Sequence, residues 1–408
     1  MVYKLVMPVA RRLCLLAVLL VAAAYPAAAH AAGLAATKRV FKTQMGPEPA
    51  AGAYVIDLET GRQLFARHPD VPRTPASVNK LFTTSTALRR FGPRARLKTD
   101  VLTGVAPDDR GVVRGNLFLR GGGDPSFNTA AARSFARALA RTGLTRITGR
   151  VVGDETAFDT LRGGPSTGYR TDYWIGPMSA LSYNHGLTSS RLGDFQPNPP
   201  RYVAQAFTGA LKRAGIRVAH AAVASKTPSS AVPLLSWASP PMATLVARTN
   251  TPSDNYMAEE LLKGLGARFG LAGSTGAGAA VVRATVERLG ARPTLVDGSG
   301  LSRRVSVSPH VVVDLIRSMD ESDLAAPFEA SLPIMGRTGT LSDRLRSDVA
   351  RGRCHAKTGT LSDVSALAGL CDTTTGRRVA FAIMMNRTST YWARIRQDRM
   401  VAALARFG

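Results

Sequence analysis

The two ends of the chain read as strands while helical patterns lie between them, and this restricts the folds available. AYVIDLETGRQLFARH (residues 53–68) has an apolar run, a Glu-Thr-Gly turn and a second run, the pattern of a hairpin. Near the other end AKTGTL, SALAGLC and RVAFAIMMN are strand-like, and the helical YWARIRQDRMVAALARF follows them. A helix is predicted from Ser77 to about Phe91, stopped by Gly92-Pro93. Later come the helical PMATLVARTN, NYMAEELLKGLGARFG, AGAAVVRATVERLG and HVVVDLIRSM. This order predicts an α/β (α+β) layered unit with an antiparallel sheet flanked by helices, the sheet uniting the N- and C-terminal parts. Residues 98–232 interrupt it with short β-like runs such as VVRGNLFLR and TRITGRVVGD, broken by Gly- and Pro-rich turns, and with helical pieces such as SFARALARTG. The expected organisation is a discontinuous domain, 32–97 and 233–408, around a β-rich inserted domain, 98–232.

Residues 1–31 read as a removable export signal. Lys4, Arg11 and Arg12 precede an apolar run that ends in small residues, with Ala29-His30-Ala31 as a cleavage site. A retained N-terminal anchor is the alternative. Either way the expected location is the periplasm or the extracellular face of the cytoplasmic membrane. The formal net charge is +25, which attracts polyanions. Aromatic residues make up only 6% of the chain, which argues against base-stacking platforms and hence against nucleic acid as partner. Peripheral contact with an anionic cell wall or membrane fits the charge, as does a merely solvated basic surface. The six histidines form no pair at metal-ligand spacing, so neither metal nor cofactor is expected.

Three short motifs stand out. Ser77-Val78-Asn79-Lys80 is the chain's one S-x-x-K, and helical spacing puts Ser77 and Lys80 within reach of each other. A serine hydroxyl beside a neutral amine is an activated nucleophile. The bland reading makes Ser77 a helix cap and Lys80 a surface charge. Ser253-Asp254-Asn255 opens another predicted helix, where capping is again the bland reading. Lys357-Thr358-Gly359-Thr360 lies in a strand pattern, so Lys357 and Gly359 share one face and Thr358 and Thr360 the other. Gly359 would let a substrate backbone lie close against the strand. Gly164-Pro165-Ser166-Thr167-Gly168 mimics a hydrolase elbow, but its flanks read as loop. His355 shares the Lys357 face, and a packed or solvent-facing histidine is the expected reading.

The order S-x-x-K, S-x-N, K-T-G is that of the penicilloyl-serine enzymes. Together with VIDLETGRQLFAR, TPASVNKLFTT, GGGDPSF, VVGDETAFD, TPSDN, DGSGLSR and AKTGTLSDVSALAG, it resembles the D-alanyl-D-alanine carboxypeptidase/endopeptidase family. These are the class C low-molecular-mass penicillin-binding proteins of the penicillin-binding protein 4 type. The resemblance spans roughly residues 50 to 390, with an insert that looks shorter than is usual. It implies a penicillin-binding-protein/β-lactamase-like transpeptidase fold and a serine DD-peptidase acting on peptidoglycan peptides, with β-lactams as covalent inhibitors. It further implies Ser77 as nucleophile, Lys80 as proton acceptor, Ser253 as proton relay and Asn255 as holder of a substrate amide. Lys357 would supply positive potential, and Thr358 and Thr360 would bind the terminal carboxylate. The N–H groups of Ser77 and Thr360 would form the oxyanion hole. Asp154 would meet the free amine of a diaminopimelate side chain, or else be a strand-end carboxylate. A catalytically idle envelope scaffold and a β-lactamase of the same fold are the rivals. No E-x-x-L-N stretch lies between Asn255 and Lys357 to serve the latter.

Two further expectations concern the third motif. If Ser362-Asp363 is a two-residue hairpin turn, Lys357 faces Ala368 and Cys354 faces Cys371, close enough for a cross-strand disulfide. The turn is not Asn-Gly, so that register is not fixed by the turn itself. GRTGTLSDR (336–344) nearly duplicates HAKTGTLSDV (355–364). The first copy lacks a comparable partner strand, so it is expected to be a structural turn or loop at the surface, with Arg337 outside the site.

Overall fold

The computed structural model describes residues 33–46 and 49–407, so the proposed export signal lies outside the described residues. Residues 33–45 are helical (α1). Strands β1 (Ala51–Asp57) and β2 (Gln63–Arg67) form the predicted hairpin, and a 3-10 turn (Ala76–Asn79) leads into α2 (Lys80–Phe91). Next come β3 (Lys98–Thr103), β4 (Val112–Val113), β5 (Leu117–Gly121), α3 (Thr129–Arg141), β6 (Arg146–Ile147) and β7 (Val151–Asp154). After them lie α4 (Pro199–Arg213), β8 (Arg217–Val218), β9 (Val223–Ala224) and β10 (Val232–Ala238). Helices α5 (Met242–Asn250), α6 (Asn255–Phe269), α7 (Thr275–Glu287), α8 (Pro309–Asp320) and α9 (Ala325–Ala330) follow. The chain closes with β11 (Cys354–Leu361), β12 (Val364–Asp372), β13 (Arg378–Asn386) and α10 (Thr390–Ala405).

The main sheet has the antiparallel order β11-β12-β13-β1-β2, so it does unite the two ends. SALAGLC and RVAFAIMMN read as unbroken apolar runs because both faces of their strands are covered. Ala366, Ala368, Ala382 and Met384 face a core shared with Leu81 and Phe82 of α2, Leu261 of α6 and Ile316 of α8. Leu367, Cys371, Phe381 and Ile383 face the other way, onto Phe41 and Met45 of α1 and Met400 and Leu404 of α10. Each large apolar side chain buried in this way contributes about 1.5–3 kcal/mol. The segment before Ser77 is bolted to the sheet edge by Arg73, which is only 5% exposed. Its guanidinium donates to the carbonyls of Pro49, Ala50, Ala51, His68 and Val71.

The insert combines short strands with helical pieces, as its sequence pattern does. Its five-stranded sheet has the order β10-β3-β5-β7-β9, in which β5, β7 and β9 run parallel. Parallel neighbours need a crossover, and α3 and α4 supply them, burying Phe135 and Phe207 against the sheet. The insert is thus built from βαβ units with short strands. Its sheet also runs past residue 232, because β10 pairs with β3. Pro233 disguised that strand. Proline lacks a donor and is tolerated here because β10 is an edge strand with an irregular register at Pro233–Leu235.

Candidate active site

Ser77 sits in the 3-10 turn that opens into α2, just after Ala76, whose φ is +48°. A left-handed alanine is strained and persists only where its surroundings over-determine it. Here β11 does so. A Cβ on Gly359 would stand 2.3 Å from the Pro75 carbonyl and 3.1 Å from the Ser77 amide nitrogen. The close approach expected there of a substrate backbone is thus made, on this face of Gly359, by the turn that carries Ser77. Neither the 3-10 turn nor α2 has a side-chain cap, which removes the bland reading of Ser77.

Lys80 is fully buried. Its Nζ donates to Ser77 Oγ (2.8 Å), Asn255 Oδ1 (2.7 Å) and the Ser299 carbonyl (2.9 Å). Burial pulls its pKa down to about 8, against the opposing pull of Glu259, Asp297 and Asp254. An amine poised there is neutral often enough to accept a hydroxyl proton.

Ser253 has a φ of +64°, a second strained residue in the same site. Its Oγ accepts from Lys357 Nζ (2.8 Å), which also donates to the Thr358 carbonyl (2.9 Å). Lys357 is fully buried, and burial first, then the charge of Lys80, holds its pKa well below the ordinary lysine value. The capping role belongs to the middle residue of the motif. Asp254 Oδ1 accepts from the Met257 amide at the start of α6 (2.8 Å), so the cap is neither Ser253 nor Asn255.

Ser77, Ser253, Asn255, Thr358 and Thr360 line one cleft of about 880 Å³. Its walls also carry Trp174 of the insert, Tyr391 and Arg394 of α10, and Thr340. Thr358 Oγ1 donates to Thr340 Oγ1 (2.8 Å), so the GRTGTLSDR phrase is more than a surface turn: it lends Thr340 and Arg344 to the cleft. Arg337 lies over Gly352, and it is not among the lining residues.

Asp154 is not brought to the cleft. It is 1% exposed, and its carboxylate accepts from Thr156 N and Oγ1 (2.8 and 2.7 Å) and from Thr227 N (2.8 Å). Burial raises its pKa, but these hydrogen bonds outweigh burial and leave it below the usual carboxylate range. Three donors from the insert itself thus take most of the roughly four acceptor positions of this carboxylate. His355 is packed, with Nδ1 3.4 Å from Glu329 Oε1.

Sequence reasoning missed the floor of the site. Glu259, fully buried, accepts through Oε1 from Gly298 N (3.1 Å), Ser299 N (2.8 Å) and Ser299 Oγ (2.6 Å). Asp297 accepts from Asn79 Nδ2, Gly300 N and Ser302 N, and burial and the charge of Glu259 push its pKa up to about 7. The Asp297-Gly298-Ser299-Gly300 turn was the available signal: only a tight turn needs two glycines there, and Gly300 has a φ of +81° with the Ala76 carbonyl against its α-carbon. The predicted hairpin register holds throughout, with Lys357 opposite Ala368, and Cys354 and Cys371 are joined in a disulfide.

Comparison with known proteins bears on the family and the fold. The chain is 28% identical to a D-alanyl-D-alanine carboxypeptidase of Actinomadura sp. (strain R39), over 88% of this chain and 81% of that protein. It is 31% identical to carboxypeptidase DacB of Mycolicibacterium smegmatis, over 81% and 75%. The fold matches the crystal structure of penicillin binding protein 4 from Haemophilus influenzae with a TM-score of 0.76, at 20% identity, over 89% of this chain and 97% of that one. A predatory peptidoglycan endopeptidase of Bdellovibrio bacteriovorus matches at 0.57, with 19% identity, over 83% and 86%. The family model for D-Ala-D-Ala carboxypeptidase 3 (S13) matches residues 41–197 and 194–407, and the chain therefore belongs to that family.

Proposed function

We propose that the protein is a serine DD-peptidase that cleaves D-alanyl-D-alanine bonds in exported peptidoglycan peptides through an acyl-Ser77 intermediate. The observation that carries this is one hydrogen-bonded set: Ser77 to Lys80 to Asn255 on one side, and Ser253 to Lys357 on the other, opening on one cleft. Neutral Lys80 takes the Ser77 proton as Oγ attacks the D-alanyl carbonyl carbon. The oxyanion is stabilised by the amides of Ser77 and Thr360. The C–N bond breaks, and the departing amine takes its proton through Ser253. Buried Lys357 holds positive potential near the leaving carboxylate, with Thr358 and Thr360 as its hydroxyl donors. Water then releases the acyl group by the reverse proton route. Loss of terminal D-alanine is carboxypeptidase action, and cutting a D-alanyl crosslink is endopeptidase action. A β-lactam mimics the scissile bond and acylates Ser77.

The exported location rests on the N-terminal segment and on the substrate. Among the described residues no helix is long and apolar enough to cross a membrane. The test is incubation with labelled penicillin and with diaminopimelate muropeptides, beside Ser77→Ala. Stable labelling with D-alanine release or crosslink cleavage, both lost in the variant, is expected. Rapid penicillin turnover would favour a β-lactamase, and absence of any covalent label would favour an idle scaffold.

A further inference from the structure

The insert lies along α6, the helix whose first turn carries the second motif. Its contacts climb that helix towards the cleft. Fully buried Lys263 donates to Asp159 Oδ1 and the Leu161 carbonyl, both at 2.6 Å. Fully buried Glu260 accepts from the Ser179 amide (2.8 Å), and Tyr256 Oη pairs with Ser182 Oγ (2.8 Å). The last contact is His185 Nε2 with Asp254 Oδ2 at 3.1 Å. The His185 ring also packs on Tyr256, with centroids 5.1 Å apart. All four contacts, from two insert segments, thus end on polar groups of α6 or of its N-cap.

Strain gathers at the last contact. Asn184 and His185 have φ of +49° and +54°, and Ser253 across from them has +64°. Such residues cost of order 1–3 kcal/mol each unless their surroundings hold them. Asp254 joins the two strained turns, because Oδ1 caps α6 while Oδ2 meets His185. Its neighbours on either side are Ser253, which accepts from Lys357, and Asn255, which accepts from Lys80.

We propose that the insert positions the second motif, with His185 as the positioning residue that fixes Asp254 and, through it, Ser253 and Asn255. This rests on the roles proposed above for those two residues. His185 is not among the residues that line the cleft of Ser77. The ionisable groups around it are Asp254, Glu260 and Tyr256 on α6, and Arg248, which lines the same groove. Burial lowers the His185 pKa, but the hydrogen bond and charge of Asp254 outweigh it and leave the value raised. The ionic part of the contact is therefore fully present at low pH and is lost as pH rises through that raised value.

The test measures the second-order rate constant for labelling by penicillin, per folded molecule, from pH 5.5 to 9. The proteins are the full chain and its His185→Ala, His185→Gln, Asp254→Asn and His185→Ala/Asp254→Asn variants. His185→Ala is expected to label about fivefold more slowly at pH 6, the scale of a half-exposed charged pair, with the deficit shrinking as pH rises. His185→Gln keeps a donor and is expected to stay within about twofold. Asparagine still caps α6, so Asp254→Asn folds, and in that background His185→Ala is expected to have no further effect. A deficit that does not change with pH, or one that adds fully in the double variant, overturns the proposal. A change confined to melting temperature, with labelling rates intact, also overturns it and leaves His185 a structural contact. Failure of the parent protein to label at all overturns the peptidase reading and this proposal with it.

Discussion

Glu259→Gln should make the nucleophile more reactive at neutral pH. The substitution is isosteric, and the glutamine Oε1 can accept from Gly298 N, Ser299 N and Ser299 Oγ as the glutamate does. What disappears is one buried negative charge. Ser299 stands between that charge and the amine: its carbonyl accepts from Lys80 Nζ at 2.9 Å, and its amide donates to Glu259 at 2.8 Å. These links put the two charges roughly 7 Å apart. At an effective dielectric of about 20, Coulomb's law gives about 2 kcal/mol, or roughly 1.5 pH units on Lys80. Part of this is offset. Glu259 is also one cause of the raised pKa of Asp297, so its removal leaves Asp297 more fully ionised beside Lys80. A net downward shift of about one unit is expected.

With Lys80 at about 8 in the parent protein, roughly a tenth of it is neutral at pH 7. A one-unit shift brings this to roughly a half, so penicillin labelling at pH 7 should rise about fivefold while the rate above pH 9 stays the same. The assay is the labelling rate constant across pH 5.5–9.5. An acid limb that stays in place, or moves up, refutes the assignment of Glu259 as the charge that sets Lys80. Stability gives a second reading. A carboxyl raised to about 7, as Asp297 is, costs stability progressively as pH climbs from its ordinary value through 7. Glu259→Gln relieves part of that cost but also removes the attraction that keeps Lys80 protonated, so any gain in melting temperature should be confined to pH above about 8, where Lys80 is largely neutral.

Lys357→Ala should remove penicillin labelling almost entirely, since it takes away the buried partner of Ser253, whereas Arg337→Ala should leave the labelling rate within about twofold. Replacing Cys354 and Cys371 together by serine, or reducing the disulfide that closes a 17-residue separation, should cost about 2–3 kcal/mol in chemical denaturation, and two free thiols in the native exported protein would deny the bond. Asp154→Asn should destabilise the insert by about 1–3 kcal/mol through unmet donors on Thr156 and Thr227, yet leave the preference for diaminopimelate peptides unchanged; loss of that preference would return Asp154 to substrate binding.

What the sequence could disclose was whatever depends on neighbours along the chain. The Cys354–Cys371 pairing follows from counting back from the Ser362-Asp363 turn, and Ser77 meets Lys80 because three residues make nearly one helical turn. Gly359 was correctly read as a place of close approach, but what approaches it is the Pro75 carbonyl, from a segment far away in sequence. The burial of Glu259 and Lys263 was out of reach for the same reason, because α6 carries charges on faces that look solvated until the insert and the Asp297–Gly300 turn are laid on them. The partners of Asp154 were out of reach too, because a short β-strand ending in Gly-Asp reads alike whether its carboxylate faces a ligand or the amides of Thr156 and Thr227.

The duplicated phrase shows the limit most sharply. Both copies place a threonine in the cleft, Thr340 and Thr358, and the two hydroxyls share one hydrogen bond. Yet β11 pairs along its whole length with β12, while Gly339-Thr340-Leu341 is a single 3-10 turn held by the Thr251 carbonyl. The strand carries Lys357 into the interior, where its Nζ donates to Ser253 Oγ at 2.8 Å. The turn leaves Arg337 at the surface over Gly352, where solvent screens it. One cation for another in the same words therefore makes two different things. The difference is carried by the partner strand, and a partner strand is what eight or nine residues of sequence do not contain.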